Sequence, residues 1–192
     1  MKTIIRITTI AMLSLAPGFL SSVDAQVKYF IYAPTESADF PGSTEDAAYK
    51  PKGAEEVLSF SFAVQNDVSI GTLANASTAG TARFESVQLQ FVGDLSVLPK
   101  LISKSTLGES YNDLVIEGVA NGTLFMKLEL KLCFIESIQL VGTEGDRAVY
   151  SVSIPFGAMR LTPYKLNPNG STTEGAQVLW SVVKESAEFS VN

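Results

Sequence analysis

Histidine is absent from the 192 residues of this chain, and cysteine occurs once, as Cys133. Without histidine no Ser-His-Asp triad or Cys-His pair can form, and a histidine-ligated metal site is excluded. A single cysteine cannot form an internal disulfide, so packing must stabilise the fold. Cys133 lies in an alternating segment, residues 128–134, and is predicted to fill a strand position and not to act as a nucleophile.

Basic residues are also scarce. The chain has 14 Lys and Arg against 20 Asp and Glu, a formal net charge of −6, and no basic run. An acidic surface repels phosphate backbones, so nucleic acid is not expected as a partner. A hydrophobic content of 46% with 18% charged residues is typical of a folded chain, and the length fits one domain with a sizeable core.

The N-terminus carries the longest apolar run. Residues 1–25 have a basic start, an apolar segment and small residues at Val23 and Ala25, which are the three parts of a secretory signal peptide. The run is short for a bilayer span and is interrupted by Pro and Gly, which favours cleavage over anchoring. We predict cleavage after Ala25, leaving a single domain over residues 26–192 that is secreted or periplasmic and not membrane-bound.

The remaining chain reads mainly as strands. Residues 58–64 alternate large and small side chains, a period that places the large ones on one face. Tight turns are predicted at Asn121-Gly122 and Asn169-Gly170, and long connections over residues 34–52 and 71–80. Many short strands separated by turns predict a mainly β fold, a compact β-barrel. The predicted strands cover residues 27–33, 58–64, 83–92, 114–119, 124–133, 134–141, 147–155, 159–166 and 177–184.

One segment has a helical period instead. Asp94 is predicted to cap this helix and Gly108 to end it. Pro99 falls within the first turn and a half, where a missing amide costs least. The apolar residues recur at three- and four-residue spacing: Leu95, Leu98, Leu101 and Ile102.

Several side chains could in principle carry chemistry. Ser181 and Lys184 match a Ser-x-x-Lys pattern, but a strand directs residues three apart to opposite faces. The acidic pairs that could act as general acid and base are Glu55 with Glu56, Glu144 with Asp146, and Glu45 with Asp46. These pairs lie in loops or at a strand entry, where solvated charge is the ordinary explanation. The residues that could bind calcium, without the regular spacing of a calcium loop, are Asp39, Glu45 and Asp46.

We therefore predict no catalytic residue, no cofactor and no metal, and a protein that is not an enzyme. Three triplets fit the acceptor pattern for N-glycosylation, which matters only if the host cell glycosylates. They begin at Asn75, Asn121 and Asn169.

Residues 52–62 combine a Lys-Gly step with a strand of the form Val-Leu-Ser-aromatic-Ser-aromatic. This pattern resembles the haemolysin-coregulated proteins (Hcp), the tube-forming subunits of bacterial type VI secretion. The resemblance extends from about residue 26 to about residue 185, with the landmarks in the family's order. The further matching segments are residues 87–91, 98–101, 128–137, 144–147, 155–156, 159–164 and 170–180.

The resemblance implies a β-barrel of two packed antiparallel sheets with one α-helix alongside. It also implies a structural function, in which identical subunits close into six-membered rings that stack into a tube and carry effectors. The implied partners are other copies of the chain, the secretion spike and effector proteins. Residues 34–52 and 71–80 would contact the adjacent ring, and the helix near residues 95–106 would line the lumen. A signal peptide departs from the family, whose members are taken up from the cytoplasm.

Two other functions compete with ring assembly. The first is a monomeric extracellular binding module, a lectin-like β-barrel that grips sugars with exposed aromatic side chains. Its candidate residues, at least half of which are expected in the core, are Tyr29, Phe30, Tyr32 and Phe40. The second is a hydrolase built on acidic pairs, which would lose activity when Glu55 or Glu56 is changed to Gln with the fold intact.

Overall fold

A computed structural model of the chain describes residues 26–69, 78–142, 144–145 and 147–192. One α-helix, α1 (Leu98–Leu107), and a short 3-10 helix (Lys50–Lys52) accompany the described strands. The strands are β1 Val27–Tyr32, β2 Glu55–Val57, β3 Ser59–Ser61, β4 Val64–Ser69, β5 Thr78–Phe84, β6 Val87–Val92, β7 Ser110–Ala120, β8 Thr123–Phe134, β9 Ser137–Val141, β10 Val149–Ile154, β11 Phe156–Leu166, β12 Thr172–Glu174 and β13 Val178–Ser181.

The strands form two large antiparallel sheets. Sheet A has the order β12-β11-β8-β7-β1-β2, with β13 also paired to β11, and sheet B has the order β3-β6-β10-β9. Strands β4 and β5 form a separate ribbon. The predicted mainly β fold of packed antiparallel sheets with one helix is confirmed. The predicted closure into a barrel is wrong, because no described strand of sheet A pairs with a strand of sheet B.

The main core lies between the two sheets. In β6, Val87, Leu89 and Phe91 are buried, as their two-residue period predicts. Tyr150 of β10 is Phe91's register partner, and the two rings stack with centroids 4.7 Å apart. Sheet A supplies the facing side chains, which include Ile31, Leu114, Ile116, Leu128, Leu130 and Met159.

A second, smaller core covers part of the other face of sheet A, over β1 and β7. Residues 34–52 fold back across this face, and the ring of Tyr49 stacks on Phe30 of β1 with centroids 3.9 Å apart. Val115 and Val119 of β7 join the same cluster. Because β7 is buried on both faces, the sequence there is a nearly continuous apolar run and does not alternate.

The predicted strand over residues 58–64 is divided into separate strands. The chain leaves sheet A after β2, pairs in sheet B as β3, and then enters the β4–β5 ribbon. Each change of sheet interrupts the alternation, so Leu58 and Val64 are 55% and 51% exposed. Only Phe60 and Phe62 pack against the core. The predicted strand over residues 83–92 is likewise divided between β5 and β6.

In β8 the alternation changes face near its end. Leu128 and Leu130 are buried as predicted, but Leu132 has a φ of 53°. This left-handed residue shifts the side-chain direction, so that Cys133 takes the core position and is fully buried. The predicted hairpin turn after β7 is confirmed, with φ of 50° at Asn121 and 77° at Gly122.

The helix begins later than predicted. Its N-cap is Val97, without a side-chain cap. The carboxylate of Asp94 instead accepts a hydrogen bond from the Ser96 N–H at 2.6 Å, so the predicted cap is wrong. Gly108, with φ of 68°, ends the helix as predicted. The apolar face is narrower than predicted, because Leu95 and Ile102 are exposed whereas the other two apolar residues are buried.

The two predicted connections differ in outcome. Residues 34–52 form the expected long loop, although Phe40, Thr44 and Tyr49 within it are buried. The connection predicted over residues 71–80 falls mostly outside the described residues, and β5 already begins at Thr78.

Gly42 allows the long loop to approach β2. A Cβ at this position would lie 2.2 Å from the backbone carbonyl carbon of Ala54. We expect Gly42→Ala to lower the free energy of unfolding by about 1–3 kcal/mol, measured by urea denaturation. Gly142→Ala is the matched control, because no heavy atom lies within 4 Å of its Cβ. Equal stability of the two variants would contradict the packing of this loop.

Candidate assembly surface

A partly buried ion pair anchors the long loop to sheet A. Lys52 ends the 3-10 helix, and its ammonium lies 2.9 Å from Glu117 Oε2 on β7. The Tyr32 hydroxyl donates to Glu117 Oε1 at 2.9 Å. The ammonium also lies over the rings of Tyr32 and Tyr49, 4.8 Å and 4.4 Å from their centroids. Gly53, with φ of 64°, then turns the chain into β2.

Glu117 is only 6% exposed, yet its environment favours the charged form. Burial alone would raise its pKa, but hydrogen bonds from Lys52, Tyr49 and Tyr32 and the Lys52 charge together lower it. The sequence interpretation used Lys52 only as part of the Lys-Gly step and missed Glu117. A lone carboxylate within the apolar run of residues 114–119 was the available signal.

A second lysine ties the start of the loop to the helix. Lys104 of α1 is buried, and its ammonium lies 3.3 Å from Glu36 and 3.7 Å from Asp39. The ammonium also lies 4.6 Å from the centroid of the Tyr111 ring, and the Tyr111 hydroxyl donates to the Asp39 carbonyl at 2.9 Å. Residues 34–52 are therefore fixed at both ends to their own subunit.

The outer face of sheet B carries short, uncharged polar side chains. We call this surface the serine–glutamine face, after the two rows of residues that compose it. Gln88 donates to the Ser153 hydroxyl at 2.8 Å, and that hydroxyl donates to Glu136 at 2.6 Å. Two rows cross the strands in register: Ser59, Gln90, Ser151 and Gln139, and Ser61, Gln88, Ser153 and Ser137.

Both edges of sheet B are open. Within the described residues, β3 pairs only with β6, and β9 pairs only with β10. Apolar side chains are exposed at each edge, Leu58 (55%) beside β3, and Leu140 (52%) and Val141 (49%) in β9. Open strand edges with exposed apolar residues favour pairing with another chain.

Ser181 and Lys184 are not paired through their functional groups. Ser181 is fully buried at the end of β13, and its Oγ accepts a hydrogen bond from the Lys184 backbone N–H at 3.2 Å. The Lys184 ammonium lies 3.3 Å from Glu188 instead.

The candidate acidic pairs have separate partners. Glu55 is buried and accepts hydrogen bonds from the backbone N–H and hydroxyl of Ser43, and its pKa is raised by burial. Glu56 lies 3.1 Å from Lys28. Alternate directions on β2 thus keep the two carboxylates apart. Glu144 lies in an exposed turn, and its predicted partner, Asp146, is outside the described residues.

The three candidate calcium ligands are also held separately. Asp39 binds Lys100 at 3.2 Å, and Glu45 binds Lys50 at 2.7 Å. Asp46 accepts a hydrogen bond from the backbone N–H of Ala48. Among the described residues, no group of three or more His, Cys, Asp or Glu side chains is arranged to hold a metal.

The aromatic residues proposed for sugar binding are mostly internal. Phe30, Tyr32 and Phe40 are buried. Tyr29 is half-buried, and its ring lies 5.1 Å from that of Phe60 in an edge-to-face contact. The glycosylation triplets at Asn121 and Asn169 lie in exposed turns, and Asn75 is outside the described residues.

Removing the loop anchor should destabilise the fold. Lys52→Met leaves the Glu117 carboxylate buried without its counter-charge, and we expect a loss of about 2–3 kcal/mol, since Lys52 is itself partly exposed. Urea denaturation measures the effect, and adding Glu117→Gln should restore part of it. The control Lys50→Met removes an exposed ion pair and should change stability by less than about 1 kcal/mol. Equal losses in the two single variants would contradict the anchoring role.

Glu117 should also make stability depend on acidity. Its pKa in the folded state is lowered, below an unfolded value of about 4.3. Its contribution is therefore complete above that value and is lost as the pH falls toward the folded-state pKa. We expect the stability of Glu117→Gln to fall less than that of the parent chain between about pH 6 and pH 3. Parallel curves from urea denaturation across this range would contradict the prediction.

The sequence matches no protein-family model, and no curated protein matches it. Solved structures match its fold. A type six secretion system protein superimposes with a TM-score of 0.74 at 17% identity, covering 84% of this chain and 99% of that one. Hcp1 from Salmonella typhimurium gives 0.62 at 12% identity, covering 81% and 94%.

A type VI secretion system effector from Yersinia pestis gives a TM-score of 0.56 at 16% identity, covering 80% of this chain and 99% of that one. At such identities the likeness concerns the arrangement of strands and helix and not particular residues. It confirms the resemblance predicted from the sequence: this chain has the fold of the haemolysin-coregulated proteins.

Proposed function

We propose that this chain is a secreted structural protein that assembles into rings through the two edges of sheet B. The single observation that carries the proposal is the pair of open edges, β3 and β9, at opposite ends of one four-stranded sheet. The fold shared with Hcp proteins supports the same role. Six subunits per ring, stacking and effector transport follow from the family resemblance and form part of the proposal.

A ring requires a heterologous interface, in which one patch of a subunit meets a different patch of its neighbour. Edge β9 of one subunit would pair with edge β3 of the next and bury Leu140 and Leu58 at the junction. The sequence of β9, Ser-Ile-Gln-Leu-Val, contains no charge and no proline. Charged residues and proline are the features that usually prevent pairing at a strand edge.

The same arrangement assigns an inner wall. One face of sheet B packs on the main core. We assign its other face, the serine–glutamine face, to the inner wall of the ring. In this proposal the sheet lines the lumen in place of the helix near residues 95–106, which contacts the β9 side of the molecule. An uncharged wall of hydroxyl and amide groups would carry protein cargo without strong ion pairing.

Stacking is assigned to the β4–β5 ribbon. Residues 34–52 are anchored to their own subunit, to sheet A through Lys52 and to α1 through Lys104, which leaves only their exposed side chains for an adjacent ring. The ribbon strands pair with each other and with no other described strand. We assign stacking to the ribbon because its described backbone pairs with neither large sheet, although Phe84 at its end packs against Trp180.

We further propose that residues 1–25 are removed after export and that the mature chain acts outside the cytoplasm. Within the described residues, no helix is long and apolar enough to cross a membrane. The proposed partners are other copies of the chain and, through the ring, secretion spike or effector proteins. The proposed role is structural and does not involve catalysis.

The assembly state of the exported chain tests the proposal. We expect light scattering to give a mass of six subunits and negative-stain images to show rings. Leu140→Lys should reduce the mass to that of the monomer, because a charge at an edge opposes pairing, while its urea unfolding midpoint stays unchanged. A parent chain that is monomeric at all concentrations would overturn the ring.

Leu166→Lys is the matched control for this test. Leu166 is 58% exposed, similar to Leu140, but lies in sheet A on β11. This variant should keep the parent mass. Rings that persist in both variants would contradict the assignment of the interface to β9, and loss of rings in both would show that the effect is not specific to that edge.

A further inference from the structure

Gln26 becomes the first residue of the chain if the leader is cut after Ala25. We propose that this N-terminal glutamine then closes to pyroglutamate, so that the mature protein has a blocked N-terminus. The inference rests on the proposed cleavage, and it adds a modification site to the proposed function.

The structure holds the Gln26 backbone and leaves its side chain free. The Gln26 N–H donates to Asn121 Oδ1 at 3.1 Å, and the Asn121 N–H donates to the Gln26 carbonyl at 3.2 Å. Asn121 is itself fixed in the tight turn after β7. Gln26 is exposed, and among the described residues its side-chain amide has no hydrogen-bond partner. No side-chain contact therefore has to break before that amide reaches its own α-nitrogen.

Ring closure is a balanced intramolecular substitution. The α-amine nitrogen attacks the side-chain amide carbon, a carbon–nitrogen bond forms, and the bond to the side-chain nitrogen breaks. Ammonia leaves with the proton given up by the attacking amine, and no oxidant or second reactant is consumed. An α-amino group has a pKa of about 7.7–8.0, so part of it is unprotonated and nucleophilic near neutral pH.

The product retains a neutral nitrogen with one N–H and leaves the following strand unchanged, although closing the ring turns that N–H away from Asn121. In the structure the Gln26 nitrogen is a neutral amide that carries a single N–H, and this N–H binds Asn121. Cleavage converts the nitrogen to a charged ammonium, and lactam formation restores a neutral amide nitrogen with one N–H. The carbonyl that accepts from Asn121 is unchanged, and β1 pairing begins only at Val27. The closed end also offers no free amine to aminopeptidases outside the cell.

Mass spectrometry of the exported full-length chain tests the proposal. The precursor is expressed in a bacterial host, purified without heating, and its N-terminal peptide is sequenced. We expect a peptide that begins at residue 26 and is lighter than the unmodified sequence by one ammonia. Gln26→Ala should give the same cleavage site and a free amine. A synthetic peptide of residues 26–34, carried through the same handling, should stay open.

Each other outcome overturns a specific statement. A free Gln26 amine in the mature protein overturns the modification and leaves cleavage intact. A peptide that retains residues before Gln26 overturns the proposed cleavage and the modification together. Equal ring closure in the synthetic peptide assigns the modification to handling and overturns the proposal. Light scattering of the same samples reports ring assembly separately, so failure of the modification is distinguishable from failure of the proposed function.

Discussion

The contact between Lys52 and Glu117 determines how sheet A is covered. Glu117 points into a region where an ionised carboxylate is costly unless its oxygens are bound. Lys52 and Tyr32 occupy both oxygens, one each, at 2.9 Å. Because Lys52 lies at the end of the long loop, satisfying this carboxylate requires the loop to fold back onto β1 and β7. The same path of the loop places Tyr49 on Phe30 and buries the second core.

The loop covers sheet A only, and the outer face of sheet B stays uncovered by it. Sheet A is packed by the main core on one face, and the loop covers its other face over β1 and β7, where the sequence of β7 is almost continuously apolar. Sheet B has only one packed face, and its strands alternate apolar with serine and glutamine. The outer faces of the two sheets therefore differ: that of sheet B is uncharged, whereas the part of sheet A that the loop leaves open carries Lys127, Glu129 and Arg160 on β8 and β11.

The local sequence pattern was enough to predict features that depend on one short segment. The burial of Val87, Leu89 and Phe91, the turn at Asn121 and the helix end at Gly108 follow from a two-residue period or from left-handed glycine. Features set by distant partners were missed or wrong. The residues near position 58 carry no pattern that predicts a change of sheet there. The contact between Lys52 and Glu117 joins residues 65 positions apart, which a local pattern does not reveal. The serine–glutamine face, proposed above as the inner wall, was missed for the same reason, because its rows combine residues from four strands.

The charge distribution bears on why these edges remain open. The chain is acidic overall, with a net charge of −6, so two subunits approaching at random repel each other at low salt. Strand β9 and the serine–glutamine face carry no charge within the strands, and the nearest carboxylate there, Glu136, is engaged by two hydroxyls. Repulsion is therefore weakest where the open edges lie. An acidic body with an uncharged, apolar-edged sheet favours association through that sheet and disfavours contact elsewhere.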